Sequence, residues 1–439
     1  MNAPDLIIRG RRVVTPDGIR AASIHIAHGR IARVAEWADV PAGVTTVEAD
    51  DLVVMPGLVD THVHVNEPGR TEWEGFESAT RAAAAGGVTT ILDMPLNSIP
   101  PTTTVEALEI KREAARGKSL INVEYIGGVV PGNANELPGL ARAGVRAFKC
   151  FMSPSGVDEF RPVTEADLRI AFPILTKLGL PLMVHAELPS WLVSASSSRR
   201  YSHYLASRPV AAERAAIELL VRLMMWCPAP VHIVHLSSAS SLDLVRRARK
   251  RGLPLTVETC PHYLTFAAEE IPDGATEYKC APPIRDAAER ESLWDALISG
   301  EIDLIASDHS PCPPSMKGSD GDFGSSWGGI SSLQLSLAAV WTGARSRGIG
   351  VEKIAKWMSE TPANLARLGH RKGAIAEGHF ADIVIWDPDS RFTVDPAKLT
   401  HRHKLTPYAG RDLYGKVLAT YVGGRAVFTA DRYGTSQLA

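Results

Sequence analysis

Two histidines separated by one residue stand near the end of an apolar stretch of the sequence, GLVDTHVHV. Alternate side chains of a β-strand point to the same face, so His62 and His64 can offer two imidazole nitrogens to one ion. Two further candidate ligands end apolar runs, His185 in PLMVH and Asp308 in LIASD. Imidazole and carboxylate groups without thiolate suit zinc, manganese, cobalt or iron. These residue types therefore predict a metal site.

The run VHIVH contributes one more histidine, but it contains two candidates. His232 and His235 are three residues apart, which places them on opposite faces of a strand. We choose His235 because it lies nearer the end of the run. A single histidine at a strand end is usually a hydrogen-bonded structural residue, whereas several that end different strands indicate a shared ligand.

Lys149 stands in the apolar and aromatic run VRAFKCFM. Burial of an unpaired ammonium group costs on the order of several kcal/mol, so this lysine needs a partner or a modification. An ammonium group cannot coordinate a cation and a neutral amine has only one lone pair, whereas addition of CO2 gives a carbamate with two oxygens. We therefore predict that Lys149 is N6-carboxylated and bridges two divalent ions, zinc first, with cobalt or manganese as alternatives. A Schiff-base role for Lys149 would leave the histidines unexplained.

Eight short apolar runs between about residues 56 and 310 can form the strands that position these side chains. Most of the runs alternate with helix-like segments such as EGFESATRAAAAGG and SSLDLVRRARKRG, a pattern typical of parallel sheets. Eight such units predict an α/β fold, a TIM-like (β/α)8 barrel, which takes about 250 residues. Because barrel enzymes build their sites at the carboxyl ends of the strands, the candidate ligands should meet there.

Both ends of the chain differ from the barrel in their pattern. Residues 1–55 and 374–439 are short strand-like and turn-like segments punctuated by Gly, Asp and Pro. We predict that they pair into one small β-sandwich and that residues 56–373 form the metal-dependent barrel. Residues 194–209 and 311–329, which we call the two cover segments, lengthen the connections after the fifth and eighth runs, where substrate contacts tend to lie.

Composition limits the classes of partner. The chain is 45% apolar and 22% charged, which is typical of a globular enzyme. Its formal net charge of −2 gives no excess of positive charge for binding nucleic acid or an anionic membrane. A small molecule is therefore the expected ligand. The five cysteines show no CxxC spacing, and the sequence shows neither a leader pattern nor a long apolar run, so we expect a cytoplasmic protein.

The order of these residues resembles that of the cyclic amidohydrolases: an HxH pair, a strand-end lysine, two further histidines and a final aspartate. The resemblance covers nearly the whole chain, including ETPANLARLGHRKGAIAEGHFADIVIWDP. It implies hydrolysis of a cyclic amide, proton transfer by Asp308, a homodimer or homotetramer and no organic cofactor. By position it implies that the first metal is held by His62, His64, Lys149 and Asp308, and the second by Lys149, His185 and His235.

Longer segments, among them HVHVNEPGRTEWEGF and FKCFMSPSGVDEF, resemble the branch of that family that opens hydantoin rings carrying a ureido arm. Dihydroorotases have an arginine where this chain has Asn66, and an amide suits a neutral ring better than a carboxylate. Dihydroorotase, hydantoinase and dihydropyrimidinase activities stay open as alternatives, as does a structural relative without activity. The resemblance implies that the substrate is held by Asn66, Arg70, His262, Cys280 and Pro282.

Overall fold

In the computed structural model of the protein, which describes residues 4–430, the N-terminal segment forms five strands. The first two are joined by a tight turn that ends at Gly18, whose φ of 115° is a value that glycine adopts without a steric cost. The strands are β1 (Leu6–Thr15), β2 (Gly18–Ala27), β3 (Arg30–Glu36), β4 (Thr45–Glu48) and β5 (Val53–Pro56).

Eight parallel strands follow, one in each of the eight apolar runs. Most of their side chains are buried on both faces, which explains why the runs are continuously apolar rather than alternating. A bridge between Val63 and His309 connects the first of these strands to the residues after the last, so the sheet nearly closes. The predicted (β/α)8 barrel is confirmed. The strands are β6 (Leu58–Val63), β7 (Val88–Asp93), β8 (Asn122–Gly128), β9 (Ala147–Phe151), β10 (Leu182–His185), β11 (Val231–Ile233), β12 (Leu255–Thr259) and β13 (Leu304–Ile305).

Helices connect these strands and cover the barrel. In the fourth of them, Thr164 and Asp167 form a capping box at the start, and Gly179 ends the helix with φ 64°. No helix within residues 4–430 has both the length and the apolar character needed to cross a membrane. The helices are α1 (Phe76–Ala85), α2 (Val105–Ala115), α3 (Leu137–Arg142), α4 (Glu165–Leu178), α5 (Tyr201–Ser207), α6 (Val210–Trp226), α7 (Leu242–Lys250), α8 (Pro261–Thr265), α9 (Ala287–Ser299), α10 (Ser336–Ser346), α11 (Val351–Ala355) and α12 (Thr361–Leu365).

Three C-terminal strands complete a second sheet that is separate from the barrel. They are β14 (Ile383–Thr393), β15 (Asp412–Val422) and β16 (Arg425–Thr429). The strand order in this mixed sheet is β16-β15-β14-β5-β1-β2-β3, with β4 beside β1, so the two ends of the chain form one β-unit as predicted. The predicted domain boundary at residue 55 falls inside β5, and the one at residue 373 falls between α12 and β14.

A buried ion pair fastens α2 to the end of β7. The Lys111 Nζ atom lies 2.6 Å from Asp93 Oδ2, and both side chains are only 1% exposed. Lys111 also donates a hydrogen bond to the carbonyl of Met94. The other oxygen of Asp93 accepts the backbone N–H of Val65 at 2.9 Å, so the pair reaches the chain immediately after His64.

Replacement of Lys111 by Met should therefore destabilise the protein strongly, because it leaves the Asp93 carboxylate buried without its cation. We expect the free energy of unfolding to fall by about 3–5 kcal/mol, measured by urea unfolding at equilibrium. Arg116→Met, which removes an exposed pair with Glu113 at the end of the same helix, should cost less than about 1 kcal/mol. Equal losses in the two variants would contradict this account.

Candidate active site

The structure brings the six candidate metal ligands together at one mouth of the barrel. All of them are buried, with exposed fractions between 0% and 8%. They are His62 within β6, His64 just after it, Lys149 within β9, His185 at the end of β10, His235 after β11 and Asp308 after β13. Five strand ends thus converge on one point, which no local segment of the chain could achieve.

The Asp308 carboxylate lies between the two histidines of the HxH pair. Its Oδ1 atom is 3.3 Å from His62 Nε2 and 3.5 Å from His64 Nε2. Beside them, His185 Nδ1 lies 3.0 Å from His235 Nε2. The cluster therefore contains two groups of neighbouring ligand atoms. In one, Asp308 Oδ1 lies near the Nε2 atoms of His62 and His64, and in the other, His185 Nδ1 faces His235 Nε2.

Two of these side chains owe their direction to an unusual backbone conformation. His235 has φ 40° and Asp308 has φ 44°, values in the left-handed region that cost about 1–3 kcal/mol outside glycine. His235 follows β11 rather than belonging to it, so strand alternation does not position its ring. His232, the alternative candidate, lies within β11 and instead contacts Thr256 and Glu258.

Glu258 of β12 holds two of the histidines from inside the barrel. Its Oε1 atom lies 2.6 Å from His62 Nδ1, and its Oε2 atom lies 2.9 Å from His232 Nε2. The carboxylate can only accept these bonds, so the proton of His62 is held at Nδ1 and its Nε2 lone pair faces the cluster.

Glu187 plays the same part for His185. Its Oε2 atom lies 2.7 Å from His185 Nε2, and both carboxylate oxygens also accept hydrogen bonds from Arg208. Burial alone would raise the pKa of Glu187, but the bond to His185 and the charge of Arg208 hold it at about 2. Glu187 therefore stays ionised and leaves His185 Nδ1 free to face His235.

Lys149 has no hydrogen-bond partner for its Nζ atom among the described residues, although its side chain is fully buried. The centre of the Phe151 ring lies 4.9 Å from this Nζ atom. Burial lowers the pKa of Lys149 to about 8. A buried amine without a partner is costly as it stands, and it therefore indicates a group that the protein side chains do not supply.

The donor set fits a metal centre. Ligand atoms of His62, His235 and Asp308 lie within 4.8 Å of one another, and His235 Nδ1 is buried without a partner in the described part of the chain. Imidazoles whose outer nitrogens are tied to carboxylates are the usual support of a bound divalent ion. Nitrogen and oxygen donors without thiolate agree with the metals expected from the sequence.

A cavity of about 1070 Å³ opens above the cluster. Five of the six candidate ligands lie in its wall, and residues of both cover segments complete it. The cover segments also bind each other, because Ser198 donates its N–H to Asp322 Oδ1 at 2.7 Å and accepts the N–H of Phe323 at 2.8 Å. The first cover segment is not wholly irregular, since it contains α5.

Among the described residues, only Cys280 of the five expected substrate contacts lies in this wall. The other four expected contacts do not line it. Asn66 donates to the carbonyl of Pro311, and Arg70 is paired with Glu159. The pKa of His262 is lowered to about 4 by burial, and the Pro282 carbonyl accepts a bond from Tyr263.

Several residues that shape the site were not predicted from the sequence. Asn97 lies in the cavity wall with its amide nitrogen 3.4 Å from His64 Nδ1. Glu258 and Glu187 support the histidines, and Asp93 holds the chain after them. Glu258 could have been found, because a carboxylate in the apolar run PLTVETCP is the same anomaly that marks Lys149. Asn97 and Glu187 give no comparable signal.

The family model for the amidohydrolase family matches residues 53–427. The chain belongs to the amidohydrolase family. The predicted family is confirmed, and this amidohydrolase is a hydrolase of a metal-dependent family with a candidate metal site at the barrel mouth.

Known relatives resemble this amidohydrolase over nearly its whole length. An allantoinase of Streptomyces avermitilis is 50% identical over 430 residues, which cover 97% of this chain and 96% of the relative. An allantoinase of Arabidopsis thaliana is 44% identical, with 98% and 90% covered. Among solved structures, the L-hydantoinase from Arthrobacter aurescens superposes with a TM-score of 0.91 at 31% identity, with 96% of this chain and 95% of that chain covered.

Replacement of Glu258 by Gln should weaken metal binding, because the variant loses the anion that holds the His62 proton at Nδ1. We expect the affinity for zinc to fall by about 10- to 100-fold, measured by competition with a chelator. Glu218→Gln, a change on the exposed face of α6, serves as the control and should leave zinc affinity unchanged. Unaltered zinc affinity in Glu258→Gln would remove Glu258 from the supporting role assigned to it.

Proposed function

We propose that this amidohydrolase opens the hydantoin ring of allantoin by hydrolysis and releases allantoate. The likeness to allantoinases from a bacterium and a plant, which extends over nearly the entire chain, carries the proposal. The relatives match through the barrel and also through both chain ends, so the whole architecture is shared and not the ligand pattern alone. An allantoinase of Saccharomyces cerevisiae is also 47% identical over 86% of this chain.

The charges in the cavity wall support a neutral substrate. The only lysine or arginine side chains among its described residues are Arg208 and Lys279. Arg208 is bound to Glu187 through both carboxylate oxygens, and Lys279 Nζ donates to the carbonyls of Gly324 and Ser326. A substrate carboxylate would therefore meet no unengaged cation in this wall, and its burial would cost free energy.

The polar groups that remain suit a ring with an amide and a ureido arm. Eight serines lie in the wall, and hydroxyl groups can both donate to and accept from neutral amides. The backbone N–H and C=O of Ala281, also in the wall, make no hydrogen bond with the described residues. A ring amide presents the complementary acceptor and donor side by side.

The metal centre would use the residues already described. His62, His64 and Asp308 would hold one divalent ion, zinc being the first choice, and His185 and His235 would hold the other, with carboxylated Lys149 between them. Bound metal supplies a water of lowered pKa, about 7, and polarises the ring carbonyl.

Lys149 is suited to carboxylation because of its burial. The lowered pKa, about 8, increases the fraction of neutral amine at pH 7 by roughly 10²-fold over an exposed lysine. The amine lone pair adds to the carbon of CO2, and loss of one ammonium proton leaves the carbamate anion. Conversion of a buried cation into an anion beside a metal centre removes the cost of the unpartnered ammonium group.

Asp308 is the residue best placed to move protons during ring opening. Its carboxylate lies at the centre of the HxH pair and also in the cavity wall, so one group faces both the ligand cluster and the substrate. We assign it to accept the proton of the attacking water and to deliver it to the ring nitrogen as the amide bond breaks. Positioned general acid–base catalysis of this kind typically contributes about 10²- to 10⁴-fold.

A second candidate function is hydrolysis of simple hydantoins. The observation in its favour is the close superposition with the L-hydantoinase from Arthrobacter aurescens, although the sequence identity to that protein is lower than to the allantoinases. Fold likeness is a weaker guide to substrate than the residues of the cavity wall. We therefore rank hydantoin after allantoin.

Replacement of Lys149 by Ala should remove bound metal and activity together, because the bridging carbamate can no longer form. Short carboxylic acids such as acetate or propionate should restore part of both by occupying the vacated space. Metal content is measured by elemental analysis and activity by ring opening on the same sample. Lys177→Ala, an exposed position in α4, is the control and should keep both, whereas full metal content in Lys149→Ala would contradict the bridging role.

A panel of three rings tests the substrate. We expect efficient opening of allantoin, weaker opening of hydantoin and kcat/KM for dihydroorotate at least about 10²-fold lower than for allantoin, because its carboxylate would be buried without a partner. The three assays use one preparation with its metal content measured. Comparable kcat/KM values for dihydroorotate and allantoin would overturn the substrate assignment while leaving the hydrolase and its metal centre intact.

A further inference from the structure

Three buried tyrosines hold the chain that forms one side of the cavity. Their hydroxyl groups donate to the carbonyls of alternate residues in the segment 280–284, and all three side chains are between 2% and 4% exposed. The bonds run from Tyr204 to Cys280 at 2.7 Å, from Tyr263 to Pro282 at 2.6 Å and from Tyr201 to Ile284 at 3.1 Å.

The sequence of this segment explains why side chains must hold it. Pro282 and Pro283 lack a backbone N–H, so CAPPI cannot join a regular hydrogen-bonded ladder, and its buried carbonyls need other donors. Burial raises the pKa of Tyr204 and Tyr201, which keeps both phenols protonated and therefore able to donate.

The two tyrosines of α5 also contact the second cover segment. The ring of Phe323, which is fully buried, lies 5.3 Å from the ring of Tyr201 and 6.5 Å from that of Tyr204, centre to centre. The ammonium group of Lys279 lies 4.9 Å from the centre of the Tyr204 ring. Helix α5, which belongs to the first cover segment, therefore contacts both the second cover segment and the backbone beside the substrate cavity.

The bond from Tyr204 differs from the other two because its acceptor belongs to a peptide group in the cavity wall. The Cys280–Ala281 peptide is trans, and the C=O and N–H of a planar trans peptide point in opposite directions. A hydroxyl that fixes the Cys280 carbonyl therefore also fixes the direction of the Ala281 N–H. Cys280 and Ala281 both lie in the cavity wall, whereas Ile284, the partner of Tyr201, does not.

We infer that Tyr204 is a positioning residue for the substrate ring, acting through the orientation of the Cys280–Ala281 peptide group. The inference rests on the proposed function in that a cyclic amide is the ligand. Removal of the hydroxyl leaves the aromatic packing in place but lets the peptide group rotate, so the Ala281 N–H no longer meets the ring at a fixed angle. Tyr201 and Tyr263 hold the rest of the segment.

The test compares Tyr204→Phe with Tyr201→Phe, which removes the same atom from a neighbouring ring on the same helix. We expect Tyr204→Phe to raise KM by about 3- to 10-fold, the effect of one neutral hydrogen bond, with kcat within about twofold of the wild type. Tyr201→Phe should leave KM unchanged. Metal content should stay at the wild-type level in both, and their melting temperatures should fall by similar amounts.

A binding measurement makes the test independent of turnover. The same two substitutions are introduced into Asp308→Asn, and the dissociation constant of the ring is measured by titration calorimetry; only Tyr204→Phe should raise it. Equal KM and dissociation constants in the two tyrosine variants, or no change in Tyr204→Phe, would overturn the inference. The comparison is made with whichever ring the wild type opens, so a failure of the allantoin assignment is seen separately, in the wild type alone.

Discussion

The hydrogen bonds that Glu258 accepts inside the barrel are the interaction on which the rest of the site depends. One buried carboxylate accepts hydrogen bonds from the rings of His62 and His232. It thereby fixes the tautomer of His62, with the proton on Nδ1. Without that constraint the His62 ring could turn either nitrogen toward the cluster. The barrel makes the contact possible, because β6 and β12 lie far apart in sequence and meet only when the sheet closes.

The other side chains around the cluster are also held by hydrogen bonds and charges from residues farther out. Glu187 orients His185, and Arg208 keeps Glu187 ionised. Farther from the cluster, Lys279 donates hydrogen bonds to two carbonyl groups of the second cover segment. Both basic side chains in the described part of the cavity wall, Arg208 and Lys279, are thus engaged within the protein, so neither is free to pair with an anionic substrate.

The sequence was most informative where a residue contradicted its surroundings. Lys149 in an apolar run and the HxH pair at a strand end identified the barrel mouth, and eight alternating units predicted the fold. It was least informative for positions set by tertiary structure. The His235 imidazole and the Asp308 carboxylate stand on residues with positive φ values, which the residue pattern does not predict. Asn66 stands beside the ligands in sequence, yet its amide donates to the carbonyl of Pro311 and the residue does not line the cavity.

The expected substrate contacts stay a prediction, and they depend on tertiary structure for a related reason. Cys280 reaches the wall, whereas Arg70 is paired with Glu159, a residue distant in sequence. Such pairings depend on how loops from different strands meet. Local patterns describe strands and helices well because their hydrogen bonds are periodic, but the cavity wall is irregular and is determined by contacts between segments.

The mixed sheet has a consequence for the order in which the chain can fold. β5 leads almost directly into β6, the strand that bears His62, yet β5 completes its pairing only with β14, where Pro56 lies opposite Ile383. During synthesis from the N-terminus, the edge of β5 therefore stays unpaired until the whole barrel has emerged from the ribosome. An unpaired strand edge is a template for pairing with other chains, and the shortness of β5, four residues, limits this risk. The sheet formed by the two chain ends can therefore close only late in synthesis, after the barrel residues between them have been made.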